Sequence, residues 1–285
     1  MKVFQDARDY QILFLSLFLS LGVVNRDWTL SPIRVVLIII ACLLVQFLCE
    51  SLTHYQQKIN TLINKNYNEK ILESISFQGW KSALITSLGL SLLLRANDIS
   101  TLVIASAIAI ASKFIFKYHN KHFFNPANFG IIGVLLLTND GWISPGQWGS
   151  DWLYLGLFLA TGAMVLKKVG RWETTAVFLS TYGILEAIYN YYLGWNFEVL
   201  LHQLMTGSLL VFAFFMLSDP RSIPDGKNGR IIWAIAIAFL GFILGNLFFI
   251  NNGVFWSLFI ISPLTILFDL IWKGNRFRWR YSINS

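Results

Sequence analysis

The sequence predicts an all-α protein, a polytopic membrane bundle of about ten transmembrane helices. Three observations lead there. Hydrophobic residues make up 55% of the 285 positions and charged residues 13%, against about 25% charged in soluble domains. Ten apolar runs follow one another, separated by short polar or Gly/Pro-rich turns. Finally, threading the chain through ten spans puts all but Arg26, Arg34 and Arg95 of its 22 Lys and Arg on one side. The positive-inside rule makes that side cytoplasmic. Both termini are then cytoplasmic, and the location is the bacterial inner membrane. The net charge of +7 is a consequence of this topology and does not argue for a nucleic-acid partner.

In chain order, the first span is Tyr10–Val24. No small-residue cleavage site follows it, so it reads as a retained helix and not a signal peptide. Ile33–Cys49 is the second. Cys42 and Cys49 are seven residues apart on one face of it, too far to bond each other and without metal-site spacing. Glu50–Lys81 is the only long polar loop. Within it Ile59, Leu62, Ile63, Tyr67, Ile71 and Ile75 recur at helical spacing, which predicts an amphipathic interfacial helix. Ser82–Leu94 and Phe124–Thr138 are short for a full crossing at about 1.5 Å per residue. Ile99–Phe116 lies between them. Trp152–Leu166, Thr175–Leu193, Leu200–Leu217, Ile231–Ile250 and Val254–Trp272 complete the set. Ten spans divide into two halves, 1–138 and 152–285, within one membrane domain. Asn125-Pro126-Ala127-Asn128 opens the fifth span and Asn251-Asn252-Gly253 the tenth, as an inverted repeat with a central site would have it.

Polar residues inside these spans are the candidate sites. Asn125 is a good N-cap, and Pro126 suits the first helical turn because it has no N–H to satisfy. Asn128, Gly130 and Gly133 then leave a helix face of little bulk. That face suits either close helix packing or a flat ligand, whose carbonyls the amides of Asn125 and Asn128 could bond. His119 and His122 flank this mouth, either as solvated loop residues or as proton carriers to a reduced quinone. Glu186, with Asn190 one turn on, is a carboxylate deep in a span, which points to proton or cation handling. A protonated Glu bonded to a neighbouring helix is the plainer alternative. His202, Thr206 and Gly207 lie near the outer mouth of the eighth span, as ligand contacts or as helix–helix glue. Asp219-Pro220 and Asp269 read as turn and cap residues, and the tail arginines as topology determinants. No catalytic triad, metal cluster or nucleotide loop is present.

These motifs, taken in order, carry a resemblance. Gln5 to Ile12 leading into the first span, Ser82 to Thr86, Ala107 to Lys113 followed by Asn125-Pro126-Ala127, His202 to Gly207 with Ser218-Asp219-Pro220, and Asn252-Gly253-Val254 with Pro263-Leu264 are its elements. Together they resemble the family that holds the D subunit of Rnf electron-transport complexes and the B subunit of the sodium-translocating NADH:quinone oxidoreductase. Such members carry a Ser/Thr-Gly-Ala-Thr motif, whose last threonine bears a covalent flavin mononucleotide, in the loop after the fifth helix. Here that loop, Asn139–Asp151, lacks it. Thr161-Gly162-Ala163-Met164 has Met where the hydroxyl belongs and lies within the sixth span. The resemblance therefore implies a shorter branch without covalent flavin. It implies a membrane electron-transfer subunit holding a non-covalent flavin or a quinone between its halves, working with other membrane subunits or redox proteins. Cofactor contacts would come from Asn125, Pro126, Asn128, Gly130, His202, Thr206 and Gly207. Two alternatives of other classes stand beside it: a small-solute transporter or channel, and a structural partner of a membrane biosynthetic or redox complex.

Overall fold

The computed structural model describes residues 6–26, 31–63, 79–146, 152–277 and 279. Helix α1 (Ala7–Leu21) begins at Asp6, whose carboxylate accepts from the Arg8 N–H at 3.0 Å. Helix α2 runs unbroken from Pro32 to Ile63. The polar stretch expected as a loop from Glu50 thus begins as a continuation of the second helix. No Gly or Pro interrupts it between Glu50 and Ile63, so nothing removes a backbone donor or favours a turn there. The rest of the expected interfacial helix, residues 64–78, lies outside the described residues.

Three short apolar helices follow: α3 (Trp80–Leu93), α4 (Ile99–Ile115) and α5 (Pro126–Leu137). Strand β1 (Leu94–Ala96), after α3, pairs antiparallel with β4 (Gly141–Ile143), after α5. Asp140 accepts the Asn97 and Asp98 N–H groups at 3.0 Å each. Arg34 donates to the Ala96 and Asn97 carbonyls, and Arg95 to those of Ser91 and Leu94. Two of the three arginines on the cation-poor side therefore bond carbonyls at or just beyond the end of α3, where the helix dipole is negative. At the opposite end, β2 (Lys117–Tyr118) and β3 (Lys121–His122) form a hairpin. Its two turn residues, His119 and Asn120, have φ of 46° and 64°, as a two-residue hairpin turn requires.

The second half comprises α6 (Trp152–Val169), α7 (Trp172–Tyr192), α8 (Phe197–Leu204), α9 (Gly207–Val211, continued by a π turn to Met216), α10 (Lys227–Phe242, continued to Leu247), α11 (Gly253–Ile261) and α12 (Thr265–Ile271). Among the described residues five helices are long and apolar enough to cross a membrane. They number six if α8 and α9 with its π turn, bent by 48°, count as one span. The protein is a multi-pass membrane protein. The ten spans read from the sequence are reached in length by only part of the set. The third and fifth helices are short for a bilayer, as their apolar runs led us to expect, and α4, at 17 residues, also falls just under a full span.

In the first half α1 packs on α3, α2 on α3 and α4, and α4 on α5. In the second, α6 packs on the π turn after α9, α7 on α8 and α10, and α10 on α11. The halves meet where α1 crosses α6 and α5 crosses α11. Phe18 stacks on Phe158 at 3.9 Å at the first crossing, and Phe124 on Phe259 at 5.3 Å at the second.

Candidate functional site

The start of α5 lies in the protein interior. Asn125 is its N-cap, accepting the Asn128 N–H at 3.1 Å. The Asn125 amide donates to the Met216 carbonyl at 3.1 Å. Asn128, 1% exposed, donates to the Phe255 carbonyl at 3.1 Å, and its own oxygen has no partner among the described residues. Both asparagines thus tie the first helical turn of α5 to the second half. Gly130 faces α4: a Cβ there would lie 2.6 Å from the Ala105 carbonyl oxygen and 2.7 Å from the Ala109 Cβ. The small face expected to take either a helix or a flat ring is filled by a helix.

A cavity of about 50 Å³ lies beside this turn, lined by Arg8 and Gln11 of the first helix, Thr86 of α3, His122, Asn125 and Asp219 among others. It adjoins a basin of about 880 Å³. Arg8, Ser82, His122, Arg221 and Trp279 wall both. His122 is buried, with Nε2 3.7 Å from an Asp219 carboxylate oxygen. It is not a solvated loop residue. Burial holds the His122 imidazole below its ordinary pKa, with Asp219 opposing and the Arg221 and Lys113 charges assisting. Burial pushes the Asp219 carboxyl up, but the His122 hydrogen bond and charge and the Arg221 N–H outweigh it and hold the group below its usual value.

The depressed His122 pKa makes stability depend on pH. An imidazole with a depressed folded pKa stays neutral while the unfolded chain takes up a proton. Stability is therefore full above the unfolded value and falls as pH drops below about 6.5. Denaturation curves between about pH 7 and 5 are expected to show this fall, and His122→Gln to flatten it. An unchanged slope in His122→Gln would assign the acid sensitivity to another group.

Other site residues expected from the sequence lie elsewhere. His202 is exposed. The Thr206 hydroxyl donates to the Gln203 carbonyl at 3.2 Å. The Gly207 N–H donates to the Gly146 carbonyl at 2.8 Å, and that of Ser208 to Pro145 at 3.1 Å. The break between α8 and α9 is thus filled by the loop after β4, where Gly146 has φ of 61°. Gly207 lies nine residues before Met216, about 14 Å along a helix, so it does not join Asn125 at the cavity.

Glu186 is 3% exposed and accepts from the Asn246 amide at 2.7 Å, with Tyr182 also facing it. Asn190 does not share this site. Its amide closes the following turn by donating to the Trp195 and Asn196 carbonyls.

Lys121, 5% exposed, reaches Asp269 at 2.5 Å and Asp225 at 3.3 Å. Asp225 also pairs with Arg171 and Arg276, and its N–H donates to Asp269 at 2.7 Å. Asp269 therefore holds a turn, as expected, and also an ion pair. Arg276 does more than mark topology. The partners of Lys121 and His122 lie about a hundred residues or more along the chain, and no local pattern signals them.

The family model described as NQR2, RnfD, RnfE matches residues 135–278. The chain belongs to this family. Over 115 residues it is 36% identical to the D subunit of the ion-translocating oxidoreductase complex of Psychromonas ingrahamii, covering 40% of this chain and 33% of that protein. It is 26% identical over 166 residues to the D subunit of the proton-translocating ferredoxin:NAD(+) oxidoreductase complex of Clostridium ljungdahlii, covering 52% and 50%. The D subunit of the ion-translocating complex of Tolumonas auensis is 25% identical over 135 residues, covering 47% and 38%. The chain spans about a third to a half of the length of these relatives. In this family member the matched segment includes Glu186, His202 to Gly207 and Asp219, while Asn125 to Gly130 lie before it.

Proposed function

We propose that this chain is a membrane subunit of an ion-translocating electron-transfer complex in the bacterial inner membrane, built as two inverted halves of five helical segments. The observation that carries the reading is the joining of the two fifth segments. Each opens at an N-cap asparagine, Asn125 or Asn252. Asn128, three residues into α5, bonds the carbonyl of Phe255, three residues beyond Asn252. The same sequence of helix pairings in the two halves supports the repeat, and family membership supports the complex.

A non-covalent flavin or quinone belongs to this proposal. Such a group supplies one- and two-electron chemistry. Arg8, Thr86 and His122 offer charge and hydrogen bonds suited to the polar edge of a ring. The cavity of about 50 Å³ admits that edge alone, so the ring body would lie in the adjoining basin. Gly130, Thr206 and Gly207 have no part in this arrangement. Glu186, held by Asn246, is the group for ion or proton handling.

Purified from its own membranes in a mild detergent, the protein is expected to bring redox subunits with it, together with acid-released flavin or extractable quinone. Glu186→Gln keeps the shape and is expected to slow ion transfer at least about tenfold. A partner-free, colourless protein that equilibrates a small solute across liposomes would overturn the reading in favour of a transporter.

A further inference from the structure

The wall of the large basin carries charge that the described residues do not neutralise. Six cations line it, Arg8, Lys81, Lys113, Lys117, Arg221 and Arg276, against the carboxylates of Asp6 and Glu50. Arg8 pairs with Asp6 at 2.6 Å, Lys81 with Asp9 at 2.6 Å, and Arg276 with Asp225 at 3.7 Å. Lys113, Lys117 and Arg221 have no carboxylate within 4.0 Å among the described residues. Lys113 is only 6% exposed, and among the described residues its ammonium bonds just the Ser82 carbonyl and hydroxyl, at 3.2 and 3.1 Å. A buried ammonium without a counter-ion is strongly unfavourable. The end of α4 accounts for one lysine by its dipole. It does not account for Arg221, brought from over a hundred residues later to the same space, where its guanidinium donates to the Asn120 carbonyl at 3.2 Å and meets no carboxylate among the described residues. The Arg221 charge, after burial, holds the Lys117 ammonium below its ordinary pKa.

The same basin has orphaned acceptors on its α2 side. Gln46 is 4% exposed; its amide donates to one Glu50 oxygen at 2.9 Å. The Gln46 carbonyl oxygen and the second Glu50 oxygen are buried without partners among the described residues. The basin therefore presents cations for an anion and, opposite, acceptors for a donor. Trp80, 42% exposed, and Trp279 stand at its edge, and tryptophans mark the level of lipid headgroups.

We propose that this basin binds a phosphate ester that also carries a hydroxyl or ammonium donor, the chemistry of a phospholipid headgroup or of a soluble glycerophosphate. Lys113, Lys117 and Arg221 hold the phosphate oxygens by charge-assisted hydrogen bonds. Gln46 and Glu50 accept from the donor. The basin is the one in which the ring body of the proposed function would lie, but this inference rests on its cations and acceptors alone, and its test reads lipid and glycerophosphate binding with no redox group, so that either reading can fail without the other.

The test uses the full chain in a neutral detergent. Lipid retention is read by native mass spectrometry after incubation with phosphatidylglycerol or phosphatidylcholine, and sn-glycerol 3-phosphate is titrated by calorimetry. Phosphatidylglycerol is expected to be retained over phosphatidylcholine. Its affinity is expected to fall about tenfold for each cation removed, the equivalent of about 1.4 kcal/mol, in Lys117→Gln and in Lys117→Gln/Arg221→Gln. Both variants leave buried Lys113 in place. Lys227→Gln, on the exposed start of α10, is expected to bind as the parent does. Phosphatidylglycerol retention without glycerophosphate binding supports the lipid source, and glycerophosphate binding lost in the same variants supports the soluble one. Binding of neither, or retention that the double variant leaves unchanged, overturns the proposal.

Discussion

Lys121→Met is expected to destabilise the protein by about 3–5 kcal/mol, because removing one partner of a buried ion pair leaves an uncompensated charge. Lys121 sits between Asp225 and Asp269. Without it, two carboxylates face each other at the junction of the β2–β3 hairpin, the loop before α10 and the end of α12. Arg171 and Arg276 remain on Asp225, so Asp269 bears most of the loss. Thermal unfolding in detergent, followed by tryptophan fluorescence, measures it. The double variant Lys121→Met/Asp269→Leu removes both charges and is expected to recover much of the stability, as apolar replacements of buried pairs often do. A single variant as stable as the parent would show that the pair is hydrated and contributes little.

Gly130→Ala is the second large effect expected, a loss of about 3 kcal/mol, at the upper end of ordinary overpacking. Its added Cβ meets backbone, the Ala105 carbonyl oxygen at 2.6 Å, as well as the Ala109 Cβ at 2.7 Å. Neither can swing aside, so α4 and α5 must separate. That movement shifts Asn125 and Asn128, the residues that tie α5 to Met216 and Phe255. Gly133→Ala is the control. There the nearest atom is the Ile108 side chain at 3.1 Å, which can yield, and the loss is expected to stay under about 1 kcal/mol. Equal stability of Gly130→Ala and parent, with loss of a bound ring, would instead return Gly130 to the ligand-facing role the sequence allowed.

Class, the apolar segments and several helix ends were legible in the sequence because they depend on local chemistry. Composition and apolar runs specify a membrane protein whatever the packing. Asn125-Pro126 marks a helix start through one side-chain oxygen and one missing N–H, and α5 begins there. The family motifs pointed to the right relatives. The continuation of α2 past Glu50 is hidden by the polarity of that stretch, although nothing in it breaks a helix. Side-chain roles were decided by tertiary structure. Asn128 and Gly130 are neighbours on one short helix, yet one bonds α11 and the other abuts α4. His122 reads as a loop histidine until the chain returns, 97 residues later, with Asp219. Glu186 finds Asn246, and Lys121 finds Asp225 and Asp269, only through folding. Inside a membrane protein a polar group must be satisfied by whatever packs against it. That partner comes from a distant segment, which no local window of sequence contains.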